Sequence, residues 1–333
     1  MRKLLSYLVL DSETATLPFV NLIANGCAEV KKKIAIARPL IYDIGWTVCN
    51  RLGEIIKREQ FLVAEIFCVP SVFNTAYYAE KRPIYLEKLQ RGEITIKPWN
   101  EIIDILIKDM QSVNAVGAFN SMFDFKKAIP FTELYISKLY SKDYYAWEKM
   151  QYKLCEKIAT EPYKKNPDKE FDNEAFLFRG VEYPLFDLWG LATTHLLNNV
   201  SYKTECLEHD LLTNSGLYFK TSAESTYQYL MDKYDFEESH TALDDAIIES
   251  YILGKVARKH SISIGIKYFP FRDLGYTTDF VTRTKKPKIN EVEKIIEAIE
   301  TYLSDKDTEN EPTAYVIGLL NKIEKLNNYL GRD

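Results

Sequence analysis

The segment Leu4-Leu5-Ser6-Tyr7-Leu8-Val9-Leu10 is largely apolar, lacks helical spacing and stops on Asp11-Ser12-Glu13. A short run of this kind predicts a central strand covered on both faces. Because side chains alternate along a strand, Asp11 and Glu13 leave it on the same face. Two carboxylates at the end of a buried strand repel each other and lose hydration unless a proton or a cation compensates. Magnesium and manganese, which prefer oxygen ligands, are natural compensators. Acidic pairs at strand ends also cap loops or bind lysine, so the pair alone leaves the choice open.

Around this strand the pattern predicts an α/β domain. Residues 18–37 read as an irregular connection. Leu40 to Cys49 and Ile55 to Phe67 read as two strands joined by the Asn50-Arg51-Leu52-Gly53 turn, a hairpin beside the first strand. Trp99, Ile102, Ile103, Leu106 and Ile107 mark one face of a helix that leads into a short strand at Ala115 to Ala118. Residues 131–180, rich in Tyr, Lys and Glu, read as an inserted helical layer. Tyr183 to Asp187 resumes as a strand, and Leu188 to Leu197, Ser222 to Met231 and Thr241 to Ala257 as helices.

Two further polar clusters stand where elements meet. Asn120-Ser121-Met122-Phe123-Asp124 follows the short strand, and Asp124 by itself reads as a helix N-cap. His240-Thr241-Ala242-Leu243-Asp244-Asp245 runs into an apolar helix started by Thr241 or Ser239, with His240 on the preceding loop and Asp245 pointing inward. Taken alone, Asp244 and Asp245 are acidic residues well matched to a helix N-terminus, and His240 is a surface imidazole.

Together the three clusters resemble the exonuclease motifs of the DEDDh branch of the DnaQ-like family: DxE, then Asn-x-x-Phe-Asp, then His-x-Ala-x-x-Asp, in the family's order. A second DxE at Asp168 and Glu170 follows no buried strand. Thr14-Ala15-Thr16 stands where many relatives have a glycine, and Phe119 stands where a His is common. The resemblance covers residues 1–260 and implies a ribonuclease H-like mixed central sheet, an antiparallel hairpin at one edge plus parallel strands, with helices on both faces.

It also implies a 3′–5′ exonuclease releasing nucleoside monophosphates from single-stranded nucleic acid, DNA favoured. Asp11, Glu13, Asp124 and Asp245 would hold two Mg²⁺ or Mn²⁺ ions roughly 3.5–4 Å apart. His240 would be the general base, its ordinary pKa of about 6.5 leaving it receptive near neutral pH. The terminal nucleotide would pack against Thr14, Ala15, Thr16 and Leu17, with Asn120 and Phe123 nearby. A non-catalytic nucleic-acid-binding or scaffold protein of a replication or repair complex that kept the fold is the alternative.

Composition narrows the remainder. Forty-six per cent hydrophobic residues in a 333-residue chain exclude a disordered or fibrous protein, and a net charge of −5 excludes a polybasic coat. Any basic site is therefore local, and Lys267 to Lys288, interleaved with Tyr268, Phe269, Phe271 and Tyr276, is either a solvated face or a rim that binds single strands. Beyond it, residues 289–303 and 316–330 carry apolar seams and read as a C-terminal helical hairpin. Residues 261–333 thus form an extension that packs on the domain or binds another subunit, such as a DNA polymerase or other replication protein. Five cysteines without a CxxC pair point to a reducing, cytoplasmic compartment. The basic and apolar start is short and ends on acids, so it reads as a strand and not a signal peptide, and no membrane partner is expected. Asp43 and Asp187 read as structural, and no P-loop, dinucleotide or GxSxG motif occurs.

Overall fold

The computed structural model describes residues 5–161, 175–213 and 215–258, with positions 261, 262, 264 and 277. The chain divides into two units between Tyr276 and Thr277. The basic stretch and the helical hairpin expected within 261–333 lie outside the described residues.

The first unit is α/β. Strand β1 (Ser6–Ala15) precedes helices α1 (Val20–Ala24) and α2 (Ala28–Ala37), then the hairpin β2 (Leu40–Asn50) and β3 (Ile55–Val63). Short helices α3 (Ala64–Phe67) and α4 (Pro70–Phe73), a 3₁₀ turn at Ala79–Lys81 and α5 (Arg82–Gln90) lead to β4 (Thr95–Lys97), α6 (Trp99–Ser112) and β5 (Ala115–Ala118). After α7 (Ser121–Phe123) come a π-helical turn (Asp124–Ala128), α8 (Ile129–Leu139), α9 (Tyr144–Thr160), and the hairpin β6 (Ala175–Phe178) and β7 (Val181–Asp187). Helices α10 (Leu188–Leu197), α11 (Val200–Glu208), α12 (Ala223–Met231) and α13 (Ala242–Ala257) complete it.

The seven strands form one mixed sheet in the order β4-β3-β2-β1-β5-β7-β6. Pairings β1–β2, β2–β3 and β6–β7 are antiparallel, whereas β1–β5, β5–β7 and β3–β4 are parallel. The alternation of β1 sorts the core into two layers. Leu8 and Leu10 join a cluster with Trp99, Ile102, Ile103 and Leu106 of α6, while Tyr7 and Val9 join one with Leu188 and Ala192 of α10 and Ile248, Ile252 and Leu253 of α13. Each such buried side chain contributes about 1.5–3 kcal/mol. Helices therefore cover both faces, and β2 is buried from Leu40 to Cys49, as is all of β5.

Several expectations are corrected. Within residues 18–37, 20–24 and 28–37 are helical, and in α2 the lysines of AEVKKKIAIA leave Ile34 as its only fully buried residue, which hid the pattern. The second hairpin strand stops at Val63, and Ala64 to Phe67 is helix. The hairpin is not at the sheet's edge, because three-residue β4 lies outside it. Within 131–180, α8 and α9 are helical as expected, but Ala175 to Phe178 is a strand, and 162–174 lies outside the described residues.

Candidate functional site

Helix α13 lies close against β2 because small residues let it. A Cβ on Gly45 would sit 2.3 Å from the Leu243 nitrogen, and one on Gly254 would sit 2.1 Å from the Leu52 carbonyl oxygen. Between these contacts the hydroxyls of Thr47 and Ser250 share a 2.5 Å hydrogen bond. Buried Asp43 anchors the helix start: it accepts from the Ala242 backbone N–H at 3.0 Å and from the Gln60 amide at 3.0 Å on each oxygen. Asp43 is thus structural, as read from sequence. So is Asp187, which accepts from Gly190 N–H at the start of α10 and from Ser121 N–H.

This seating turns Asp245 and, one turn later, Glu249 inward beside the end of β1. On β1, Asp11 pairs with Gly45 and Glu13 with Asp43, and the register shifts between Glu13 and Thr14 as Thr14 moves to Ile41. A bulge there re-aims the strand directly after the acidic pair. Asp124 opens the π-helical turn that continues α7, whose N-cap is Asn120, so it is no N-cap; the Ser12 hydroxyl donates to its Oδ1 at 2.5 Å.

His240 is held in the left-handed region with φ of 51°. Its ring stacks on Tyr78 at 4.5 Å with planes 15° apart, and Lys81 Nζ lies 4.6 Å from the same Tyr78 ring and donates to the Ser239 carbonyl at 2.6 Å. Asp244 turns away to Lys88 at 3.0 Å and to the Thr241 hydroxyl at 2.6 Å, leaving Asp245 as the inward residue. Glu13, His240 and Asp245 each offer a ligand atom, all within 4.8 Å of one another, and Glu224, Glu238 and His240 form a second such group.

The electrostatics follow from gathering acids. Burial pushes Asp11 well above the ordinary carboxylate range, and Glu249, Asp124, Asp245 and Glu13 push it further. Glu13 rises through burial and through Asp245 and Asp43, against the pull of Lys81. Burial lifts Asp124 to about 7 despite the Ser12 bond, and Asp245 to about 8 with help from Glu238. His240 is lowered by burial and then by Lys81, which keeps it neutral near pH 7. The buried Oδ1 of Asp245 and Oε1 of Glu238 have no hydrogen-bond partner. Carboxylate oxygens, two of them buried without a partner, gathered beside the His240 nitrogen fit a divalent cation, and Asp11 and Asp124 stand outside these two groups.

Of the residues expected to meet a terminal nucleotide, Thr14 and Phe123 are half-buried and Asn120 is exposed. Ala15, Thr16 and Leu17 lie deeper. They are buried, Ala15 and Leu17 in the α6-side core, while Thr16 donates its N–H to Thr75 and its hydroxyl to the Arg38 carbonyl. None of those three side chains is presented to a ligand in this conformation. Sequence reasoning missed Glu249, Glu238, Tyr78 and Lys81. Glu249 alone left a trace, an acid four residues after Asp245 in the apolar stripe of α13.

No protein-family model, curated protein or solved structure matches the chain. Among the described residues, no helix is long and apolar enough to cross a membrane.

Proposed function

We propose that the chain is a metal-dependent 3′–5′ exonuclease of the ribonuclease H-like type, acting on single-stranded nucleic acid, DNA favoured. The observation that carries this reading is the meeting of Glu13, His240 and Asp245 within 4.8 Å, with Asp11 and Asp124 electrostatically bound up in the same group. The antiparallel hairpin beside β1 and the parallel strands on its other side support the fold half of the reading.

Asp11, Glu13, Asp124 and Asp245 would hold two Mg²⁺ or Mn²⁺ ions, which when bound neutralise phosphate charge and lower the pKa of water. His240, neutral and stacked on Tyr78, accepts the proton of the attacking water. Its Nδ1 faces Glu238 Oε2 at 3.7 Å, which leaves the other ring nitrogen for that proton. Asn120, Thr14 and Phe123 are the accessible groups that would orient the strand end.

The test is degradation of 5′-labelled single-stranded DNA and RNA with Mg²⁺, Mn²⁺ or EDTA, beside Asp11→Ala and His240→Ala. A metal-dependent ladder shortening from the 3′ end, lost in both variants, is the expected result. Intact polymers after incubation with the full chain and either metal would overturn it.

A further inference from the structure

Glu249 is 2% exposed and lies one turn beyond Asp245 on α13. Its Oε2 accepts from the Phe119 backbone N–H at 3.2 Å. Phe119 is the residue between the end of β5 and the Asn120 to Asp124 segment, and its carbonyl accepts from the Trp189 N–H at 2.9 Å. Both polar groups of that peptide are thus pinned, one by α13 and one by α10. The charged groups that bear most on Glu249 are Asp124, Asp245 and Glu238, all acidic, so its tie to β5 is a hydrogen bond and not an ion pair.

We infer that Glu249 is a positioning residue: by accepting the Phe119 N–H, it fixes the end of β5 to α13 and so holds Asp124 in register with Asp11 and Asp245. The inference rests on the exonuclease reading, since it concerns the geometry of the same acidic group. A buried N–H left without an acceptor is costly, so removing this carboxyl lets the β5 end move until the donor finds another partner. The displacement is carried to Asp124, five residues on. The acceptor is what matters, and an uncharged amide supplies it as well.

The test titrates Mn²⁺ into the full chain, following loss of the free-ion spin-resonance signal, for wild type, Glu249→Met, Glu249→Gln and Asp11→Ala, with thermal melts of each. Met keeps the side-chain volume without an oxygen acceptor, and Gln keeps the acceptor without the charge. Partners that orient metal-binding groups typically govern affinity by about 10–100-fold, so Glu249→Met should bind Mn²⁺ that much more weakly while folding, and Glu249→Gln within about twofold of wild type. Wild-type affinity in Glu249→Met, or a Gln variant as weak as the Met one, overturns the positioning role. A Glu249→Met chain that cannot fold makes the bond a requirement of the core and overturns it equally. A wild type that binds no Mn²⁺, or an Asp11→Ala variant that binds as well as wild type, sinks the exonuclease reading itself and takes this inference with it.

Discussion

The Ser12 hydroxyl donates to Asp124 Oδ1 at 2.5 Å across 112 residues of sequence. Ser12 lies between Asp11 and Glu13, so its side chain leaves β1 on the opposite face from theirs. One strand therefore supplies two acids directly and fixes a third through a hydroxyl. Ser12→Ala should cost about 1–3 kcal/mol of stability by leaving a buried carboxyl oxygen without its donor, and weaken divalent-metal binding by about tenfold, the low end of what such a partner is worth. Calorimetric Mg²⁺ titration beside a thermal melt separates these effects, and unchanged affinity would show that Asp124 needs no such restraint.

Tyr78 does for His240 what Ser12 does for Asp124. An aromatic stack is worth about 0.5–1.5 kcal/mol, which is up to about tenfold in rate. Tyr78→Phe, which keeps the ring, should retain kcat, whereas Tyr78→Ala should lower kcat by up to that factor with KM little changed. Steady-state kinetics on a labelled oligonucleotide check this. Equal kcat in the Phe and Ala variants would mean that backbone contacts such as Lys81 to Ser239 suffice.

The acidic group also makes stability depend on pH in a definite direction. Burial raises Asp43 and Asp187 to about 6, Asp124 to about 7 and Asp245 to about 8, from an ordinary 3.8. Between about pH 4 and 8 the folded chain then binds more protons at these sites than the unfolded chain does. Their contribution is most favourable below that window and declines as pH rises through it. In EDTA, melting temperature should fall from pH 5 to pH 8. Mg²⁺ at a hundred times its Kd should return about 2.7 kcal/mol at the upper end. A melting temperature that rises with pH in EDTA would contradict the clustering.

Gly45 tests the seating of α13. An Ala there places a methyl 2.3 Å from the Leu243 nitrogen and 2.6 Å from the Ala242 carbonyl carbon, both backbone atoms that yield only if the helix moves. Overpacking of this sort costs about 1–3 kcal/mol, and because Asp245 rides on the same helix, Gly45→Ala should lose the proposed nuclease activity beyond what the stability loss explains. Urea denaturation and activity on one preparation compare the two losses.

Much of this was legible in the chain itself. The apolar run into Asp11 and Glu13, the turn after Asn50 and the spacing of Trp99 to Ile107 are local patterns, and each marks the element it suggests. Asp245 was separable from Asp244 because one of two adjacent helical residues must face outward, and Lys88 now shows which. Glu249 was not legible, since its meaning depends on which face of α13 meets β1. The Tyr78 and Lys81 contacts were equally hidden, because Lys81 reaches Ser239 across 158 residues. Leu17 is four residues from Glu13 in sequence yet lies in the α6-side core, because the register shifts directly after Glu13.

The ends of the sheet carry a consequence for how the chain behaves in concentrated solution. Its outer strands, β4 with three residues and β6 with four, present little ladder for a neighbouring molecule to extend. Among the described residues only Phe61 to Val63 of β3 pair with β4, and the stretch of β3 before them carries Lys57, Arg58 and Glu59 along that margin. Charged side chains on such a margin oppose pairing with a second chain. Fibril-like growth from either side of the sheet is therefore disfavoured by the fold itself.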